Sequence, residues 1–502
     1  MRLQRTFLNI SMSLLLQLTN IISGLIIPWL IIRTYGSGLN GLLASVTQFL
    51  SIFSLVEGGI GGVIRASLYK HLAQKNLEAT SSVLKATNTF FRKVALVFIF
   101  FLLILAIFYP FMIHGTYSYY FVCFLVLIMG IKTFAQYFFG ITNQILLQAD
   151  QKLYLVSVFH IVSIIANVLT VTVLVYLQAS IHIVQIFSVF VLSMKPLLMK
   201  IYVNRNYKII EKTKEDKKAL SQKWDGIGHH IAYFLHNRAD IIILTIFTDI
   251  TLVSVYSVYL LVSSGVKSLT TTFSSGMESV FGDMIAKKEQ KSLEKNFDMY
   301  EFIFYMLTSI VFVSASLLIL PFISIYTLGV SDADYIQPLF AYLLLAGEAI
   351  HVLRLPYHSL IMAAGHFRET RNGAFLEAFI NIFISILLVN YYGLVGVAFG
   401  TIISTLFRTV QYAFYMSKNI LNRSVWKVFK RFSVNMCAAI MVILLSKLIP
   451  SISFINYYQW IIYALIVTSV TAIVTLFVNT LFYYNNFIMS FKMLKRAFNK
   501  LP

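Results

Sequence analysis

The stretch VALVFIFFLLILAIFYPFMI, residues 94–113, decides the class of fold. It contains no charged side chain, and a helix of about 20 apolar residues is long enough to cross roughly 30 Å of hydrocarbon. Similar runs recur along all 502 residues, of which 58% are hydrophobic and 12% are charged. Soluble domains are about one quarter charged. The composition therefore predicts an all-α polytopic membrane protein and excludes a string of soluble domains.

The basic residues alternate between connections. Lys and Arg cluster at residues 2–5, 65–93, 200–223, 287–295, 368–371, 418–431 and 492–500, and are absent from residues 110–118, 178–182, 248–251, 329–335 and 391–394. Because positive charge accumulates on cytoplasmic loops, every second connection and both termini are expected in the cytoplasm. The net charge of +20 then reflects topology and contact with anionic membrane lipids, and nucleic acid is not expected as a partner.

The alternation predicts about fourteen transmembrane helices, at residues 8–32, 41–64, 91–113, 119–146, 153–177, 182–203, 226–247, 252–276, 299–326, 335–363, 373–391, 394–416, 431–449 and 458–481. They group into a six-helix bundle (1–203), a cytoplasmic connector (204–225), a second six-helix bundle (226–418), and two extra helices with a cytoplasmic tail (419–502). The basic stretches LYKHLAQKN and MIAKKEQKS echo each other after the second helix of each bundle. We therefore expect two pseudo-symmetric bundles.

Charged side chains also fall inside the predicted helices. The basic ones are Arg33, Lys132, Lys195, Arg238, Lys267, Arg354, Arg408 and Lys447, and the acids are Glu57, Asp240, Glu348 and Glu377. A charge near the centre of a membrane helix costs about 2.5–3.5 kcal/mol on insertion scales, so it needs a partner or a wet cavity. Interhelical packing and snorkelling are open alternatives. The basic excess favours a cavity for an anionic cargo.

The seventh predicted helix, IGHHIAYFLHNRADIIILTIF, is the most polar. His229, Tyr233, His236 and Asp240 share one face. This face predicts the lining of a pathway, with a packing network, a proton relay or a metal site as alternatives.

The tenth predicted helix carries Glu348, His351, Arg354 and His358 along one side, and Pro356 predicts a kink beside them. Lys195 precedes Pro196 in the same way. Either packing or a cavity would explain these groups.

Catalytic constellations are absent from the sequence. It contains no P-loop, Cys123 and Cys437 lie in apolar runs, and no carboxylate pair has an aqueous pocket. We therefore expect no enzyme, no metal and no cofactor, and a transport step driven by an ion gradient, the membrane potential or the substrate gradient.

The glycines of EGGIGG, residues 57–62, lack the spacing and the Lys-Ser/Thr of a phosphate loop. Gly58 and Gly62 form a G-x-x-x-G step, and Gly59 and Gly61 lie beside it. The stretch predicts close helix packing, a bending point, or both.

Several motifs resemble those of the Wzx-type oligosaccharide flippases. They are Glu57-Gly58-Gly59-Ile60-Gly61, SLYKHLA (67–73), Asp240, Tyr256-Ser257 and YYGLVGVAFGTIIS (391–404). These polysaccharide-biosynthesis proteins of the MOP superfamily handle O-antigen, capsule or teichuronic-type repeat units, and the superfamily also contains lipid II flippases and MATE exporters. The corresponding N-terminal turn, LQASIHIVQIF (177–187), lacks the Gly-x-x-Gly.

The resemblance implies that the chain flips an undecaprenyl-pyrophosphate-linked oligosaccharide across the bacterial cytoplasmic membrane by alternating access, coupled to H⁺, Na⁺ or the membrane potential. It also implies a monomer that works with a polysaccharide polymerase and chain-length proteins. The basic side chains chosen for pyrophosphate are Arg238, Lys267, Lys195, Lys132 and Arg354, with Arg33 and Arg65 at the entrance. The residues chosen for ion coupling are Glu57, Asp240, Glu348 and His236.

Other functions remain in competition. A lipid II-type flippase has a similar cargo, whereas a MATE-like multidrug exporter of cations needs an acidic pocket that the basic interior does not favour. A polymerase or ligase would carry a large outer loop with arginines, and a non-transporting scaffold would not need buried charges.

Overall fold

The structure is a computed structural model that describes residues 2–113, 117–210, 213–216, 227–274, 276–447 and 456–490. Within these ranges the side chains of residues 2–4, 58–59, 227–233, 236–237 and 272–273 are not described. The chain forms two compact units, Met1–Ser257 and Val258–Pro502. In the described part of both units the regular structure is helical, as the apolar runs predict.

The described residues of the first unit form ten helices and the start of an eleventh. They are α1 (Arg2–Tyr35), α2 (Ser37–Ser51), α3 (Ser54–Ala73), α4 (Leu77–Met112), α5 (Tyr119–Ala135), α6 (Ile141–Ala149), α7 (Leu153–Tyr176), α8 (Ile181–Leu192), α9 (Met194–Asn206), α10 (Ile227–Phe247) and the first turns of α11 (Ile250–Ser274). A five-residue π-turn, Gln136–Gly140, joins α5 to α6. Helix α10, which the sequence places in the second bundle, packs against α2 and α3.

The second unit begins within α11, and its described residues form eight further helices. They are α12 (Met277–Ala286), α13 (Gln290–Tyr326), α14 (Pro338–Leu353), α15 (Leu355–Ala363), α16 (Phe367–Tyr392), α17 (Leu394–Asn419), α18 (Trp426–Ser446) and α19 (Tyr457–Phe482). Helices α16 and α17 form the most extensive pair, and α18 and α19 pack against each other and against α13. The two extra C-terminal helices are thus an integral part of this unit.

Thirteen segments of the described chain are long and apolar enough to cross a membrane. The fourteenth predicted segment corresponds to α10, which forms as a helix but is less apolar because it carries histidines, Asn237, Arg238 and Asp240. The prediction of a polytopic all-α membrane fold is confirmed.

Breaks interrupt several spans next to their polar residues. A tightened turn at Ile52 and Phe53 separates α2 from α3, where the amide of Val56 bonds to the carbonyl of Phe53. Ser193 separates α8 from α9, just before Lys195 and Pro196. The kink expected near Pro356 is present as a break at Arg354, between α14 and α15.

Backbone conformation repeats between the two units. Left-handed residues end the corresponding helices, in the pairs Lys75 and Lys288, Gln151 and Gly365, and Gln178 and Gly393. The long helices that follow the first pair, α4 and α13, contain 36 and 37 residues. Each has a proline near its end, Pro110 or Pro321. The repeat expected from LYKHLAQKN and MIAKKEQKS is therefore visible in the helices.

The close helix contacts do not lie where the EGGIGG stretch predicts them. Among the described side chains, a Cβ at Gly62 would meet nothing within 4 Å, and one at Gly61 would meet only the side chain of Arg65, on the same helix. The expected packing against another helix is not found at these two glycines among the described residues, and Gly58 and Gly59 lie outside the described side chains. The close approach occurs at Gly41 of α2, where a Cβ would collide with the Ile250 carbonyl at the start of α11.

Candidate functional site

Charged side chains from four helices of the first unit interact; Lys132 is exposed and the other four are partly buried. Glu57 of α3 interacts electrostatically with Lys195 of α9 and with Arg65, two turns along its own helix. Lys195 also interacts with Lys132 of α5, and both lysines act on His160 of α7. We call these five residues the N-terminal cationic cluster. The cluster therefore combines three basic side chains and a histidine with one carboxylate.

The π-turn positions two walls of this cluster. At its last residue, Gly140, a Cβ would collide with Cβ of Pro196, so the missing side chain lets the first turn of α9 approach and brings in Lys195. Proline is tolerated there because the first turn of a helix has no intrahelical acceptor for its N–H. Lys132 lies in the last turn of α5, directly before the π-turn. Such π-turns are frequent at functional sites.

Neutral amides complete the surroundings of the N-terminal cationic cluster. Nη1 of Arg65 donates a hydrogen bond of 2.9 Å to Oε1 of Gln148, and Nε2 of Gln136 donates one of 3.1 Å to Oε1 of Gln144. Gln148 orients the Arg65 guanidinium without cancelling its charge. The cluster keeps a positive excess and donor groups, which is the chemistry that recognises phosphate oxygens.

Two further basic residues of the first unit are exposed. The guanidinium of Arg33 lies 4.5 Å from the centre of the Trp29 ring, one turn earlier on α1. Nη1 of Arg238 on α10 donates a hydrogen bond of 3.1 Å to Oε1 of Gln48 on α2. Both contacts hold the side chain and leave its charge uncompensated by that partner.

Asp240 belongs to a buried polar seam between α2, α10 and α11. Its Oδ2 accepts a hydrogen bond of 2.8 Å from the Tyr256 hydroxyl. The amide of Asn40 donates to the hydroxyl of Ser254 over 2.8 Å. The seam explains Asp240 as a structural group, whereas the side chains of His229, Tyr233 and His236 lie outside the described residues.

The second unit pairs its predicted functional residues with one another. Nζ of Lys267 on α11 lies 2.9 Å from Oε2 of Glu348 on α14. Nη1 of Arg354 lies 2.5 Å from Oε1 of Glu377 on α16, and its Nη2 lies 2.7 Å from Nδ1 of His351. In each pair, a basic residue that the sequence predicts as a pyrophosphate ligand contacts an acid.

Arg408 of α17 completes this buried group. Its Nη1 donates to the Thr370 carbonyl over 2.8 Å, and its Nη2 donates to the Tyr412 hydroxyl over 2.6 Å. Its Nε lies 3.7 Å from Oε2 of Glu377. A Cβ at Gly373 would collide with the guanidinium, so this glycine makes the space for it. The side chain of Arg408 is 2% exposed, which fits packing better than ligand binding.

A second buried ion cluster escaped the sequence reasoning. Glu301 of α13 is fully buried and binds Arg423, over 2.8 Å, and Arg431 of α18. Oδ1 of Asp298 lies 3.0 Å from Nη2 of Arg431, and its Oδ2 accepts a hydrogen bond of 2.6 Å from Asn486. We call these five residues the C-terminal ion cluster. It attaches α18 and the residues after α19 to α13.

The sequence contained a signal for this cluster and a weaker one for His160. Asp298 and Glu301 are three residues apart at the start of a long apolar helix, and so share a face. Both arginines lie in a basic stretch, and the membrane topology alone is enough to explain its positive charge. A single histidine in the apolar α7 is ordinary. Among the described residues, no group of three or more His, Cys, Asp or Glu could hold a metal ion.

Comparisons with known proteins identify the fold. Neither the protein-family models nor the curated protein sequences gave a match. Solved structures did match, among them lipid II flippase MurJ in an inward closed conformation, with a TM-score of 0.70, 14% identity, and 95% of this chain and 99% of that chain covered.

Two MATE transporters also align over most of their length. An inward-facing multidrug resistance MATE family transporter of the MOP superfamily has a TM-score of 0.62 and 13% identity, with 82% of this chain and 98% of that chain covered. The MATE transporter VcmN of Vibrio cholerae has a TM-score of 0.56 and 10% identity, with 84% and 98% covered. The chain therefore has the helical fold of the MurJ flippase and of the MATE transporters.

Proposed function

We propose that this protein flips an undecaprenyl-pyrophosphate-linked oligosaccharide across the bacterial cytoplasmic membrane by alternating access. The N-terminal cationic cluster supports the proposal, because it combines three basic side chains of membrane-spanning helices with one carboxylate. Membrane helices retain such charges at a cost of about 2.5–3.5 kcal/mol each near the centre. A pyrophosphate would supply the missing negative charge.

The pyrophosphate is assigned to the first unit. Arg65, Lys132 and Lys195 would bind its oxygens, and the exposed Arg33 and Arg238 would guide it inward. In the second unit, Lys267 and Arg354 already have carboxylates within 2.9 and 2.5 Å. Both would have to leave these partners before they could bind substrate. We therefore propose that Lys267 and Arg354 have a structural role as long as these ion pairs are intact.

Glu57 is the acid that we propose for ion coupling. Of the four candidates, Asp240 bonds to Tyr256 and Glu348 pairs with Lys267, while His236 lies outside the described side chains. Glu57 interacts electrostatically with both Lys195 and Arg65. Its proton or a bound Na⁺ would change the charge that the cationic cluster presents to the substrate.

The test is a binding and flipping assay with purified protein in vesicles that contain a fluorescent undecaprenyl-pyrophosphate disaccharide. The double variant Lys132→Gln/Lys195→Gln should bind this lipid at least tenfold more weakly, because two donors to the pyrophosphate are lost. Lys93→Gln, which removes an exposed charge from α4 of the same unit, is the matched control. Unchanged binding and flipping by the double variant would exclude the cationic cluster as the pyrophosphate site.

The alternatives differ in cargo. A lipid II-type flippase is favoured by the likeness to MurJ, and lipid II in the same vesicles would then be flipped in preference to the disaccharide. A MATE-like exporter would instead bind organic cations such as ethidium, which the positive cluster repels. The sugars of the natural cargo would follow from the lipid-linked oligosaccharide that accumulates in cells lacking the protein.

A further inference from the structure

A second cationic feature lies where α3 ends and α4 begins. His71, Lys75 and Lys208 line a cavity of about 360 Å³ together with Thr80, Ser81 and Tyr207. Among the described residues that line it, none is acidic. These six residues belong to the basic connections of the first unit, and none is part of the N-terminal cationic cluster. We call this cavity the connector pocket.

The walls of the connector pocket are fixed by the chain that follows α9. The amide of Ile210 donates a hydrogen bond of 3.0 Å to the Ser81 hydroxyl, and Nζ of Lys85 donates one of 3.0 Å to the Thr213 carbonyl. The hydroxyl of Thr89 donates to Oε1 of Glu215 over 2.8 Å. The connector is thus tied along the first turns of α4, and the pocket exists before any ligand binds.

Tyr207, which lines the pocket, binds Asp150 together with Lys152. The Tyr207 hydroxyl donates a hydrogen bond of 2.6 Å to Oδ2 of Asp150, and Lys152 lies 2.8 Å from the same oxygen. Burial, reinforced by this hydrogen bond, raises the pKa of Tyr207, which stays protonated at neutral pH. The charge of Asp150 is therefore used within this triad and does not offset Lys75 and Lys208.

The rest of the lining is apolar, and part of it is accessible. Leu77 and Ile209 line the pocket and are 49% and 40% exposed. A free phosphate needs donors only, whereas a phospholipid also places acyl chains against apolar side chains at the interface. Basic segments at a membrane surface attract anionic lipids. The combination of exposed lysines and exposed aliphatic side chains favours a phospholipid over a free phosphate.

Lys75 adds an independent observation. It adopts a left-handed conformation with φ of 54° in the turn that ends α3. Glycine is the usual residue at such a position, because a side chain is strained there. Lys75, which lines the pocket, keeps this conformation although glycine would fit the turn better.

The second unit provides a natural comparison. The corresponding turn contains Lys288, with φ of 57°, and lines a cavity of about 350 Å³ with His366 and Gln290. Glu289 also lines that cavity. Its carboxylate opposes an anion, so the two equivalent positions differ in charge.

We infer that the connector pocket binds the phosphate headgroup of an anionic phospholipid at the face of the membrane that carries the basic connections. Lys75, Lys208 and His71 would contact the phosphate, and Leu77 and Ile209 would contact the acyl chains. The inference concerns a resident lipid and does not depend on the transported substrate.

Native mass spectrometry of the full-length protein in neutral detergent tests this inference, with phosphatidylglycerol and phosphatidylcholine as probes. We expect wild type to retain phosphatidylglycerol and to release phosphatidylcholine. A lysine near an anionic surface is worth roughly a fivefold affinity, so Lys75→Gln/Lys208→Gln should bind phosphatidylglycerol about 25-fold more weakly. Lys288→Gln/Lys291→Gln removes two exposed lysines from the second unit and should bind like wild type.

Unchanged phosphatidylglycerol binding by Lys75→Gln/Lys208→Gln would overturn the assignment. Inorganic phosphate is titrated separately, and a lysine-dependent affinity equal to that for phosphatidylglycerol would assign the pocket to free phosphate and also overturn it. If the double variant unfolds, Lys75→Gly replaces it, because glycine fits the left-handed turn and removes one charge. Loss of phosphatidylglycerol by Lys75→Gly with an unchanged unfolding temperature would support the lipid site.

Discussion

The buried carboxylate of Glu301 should be the most expensive ionic group to remove in the second unit. It is 0% exposed and binds both Arg423 and Arg431, so Glu301→Gln leaves two arginines that only the partly exposed Asp298 can balance. Breaking a buried ion pair from one side costs about 3–5 kcal/mol. By the scaling for domains of 150–250 residues, this corresponds to an unfolding temperature lower by about 10 °C.

Two weaker ion pairs of the same unit serve as controls for Glu301→Gln. Glu348→Gln removes the partner of Lys267 at a half-buried pair, with side chains 20% and 16% exposed, and should cost about 1 kcal/mol. Asp283→Asn removes the partner of Lys287 at an exposed pair and should leave the unfolding temperature unchanged. Thermal unfolding of the three purified variants in one detergent measures this order. Equal shifts for Glu301→Gln and Asp283→Asn would refute the link between burial and cost.

Three further predictions follow from individual contacts. Gly41→Ala should strongly reduce the yield of folded protein, because its Cβ collides with the backbone of Ile250, whereas Gly62→Ala should be neutral or slightly stabilising; equal yields would contradict the close approach of α2 and α11. Lys288→Gly should stabilise the protein by about 1 kcal/mol in chemical unfolding, because it relieves a left-handed side chain; destabilisation would show that Lys288 makes contacts that matter more. Burial, and then the hydrogen bond to Asp150, raise the pKa of Tyr207 above its ordinary value of 10.0, so the stability it contributes is complete below about pH 10 and is lost as the pH rises further. The unfolding temperatures of wild type and Tyr207→Phe should therefore converge above pH 10, and a constant difference would contradict the raised pKa.

The helical class could be predicted because a bilayer imposes one strong rule on sequence. In the bilayer, about 20 apolar residues in a row satisfy their backbone polar groups only as a helix. The structure of runs such as residues 94–113 can therefore be predicted directly from their sequence. The turn positions followed similarly, since the basic stretches around Lys75 and Lys288 mark the same place in two repeats. Helix α10 shows where prediction from composition reaches its limit. Its polar residues lower its hydropathy, although it forms a helix that packs against its neighbours.

The pairing of charges could not be predicted from one sequence. Lys267 and Glu348 are 81 positions apart by number, and nothing in their local patterns shows that α11 and α14 meet. Arg431 and Glu301 were separated in the same way, and the charge of Arg431 had a simpler explanation in topology. The EGGIGG stretch shows a related limit at Gly61 and Gly62: a glycine pattern permits close packing, and only the neighbouring helix decides whether it happens.

The π-turn makes the alignment of two helix faces depend on a single residue. The amide of Ile141 bonds to the carbonyl of Gln136, five positions earlier, where an α-helix would reach back four. Deleting one residue between them would restore an α-helix and rotate α6 against α5 by about 100°. Lys132 and Gln148 would then point to different sides, and Arg65 would lose its amide partner. In this part of the chain, a change in length acts as a rotation, so substitutions should be tolerated far better than deletions.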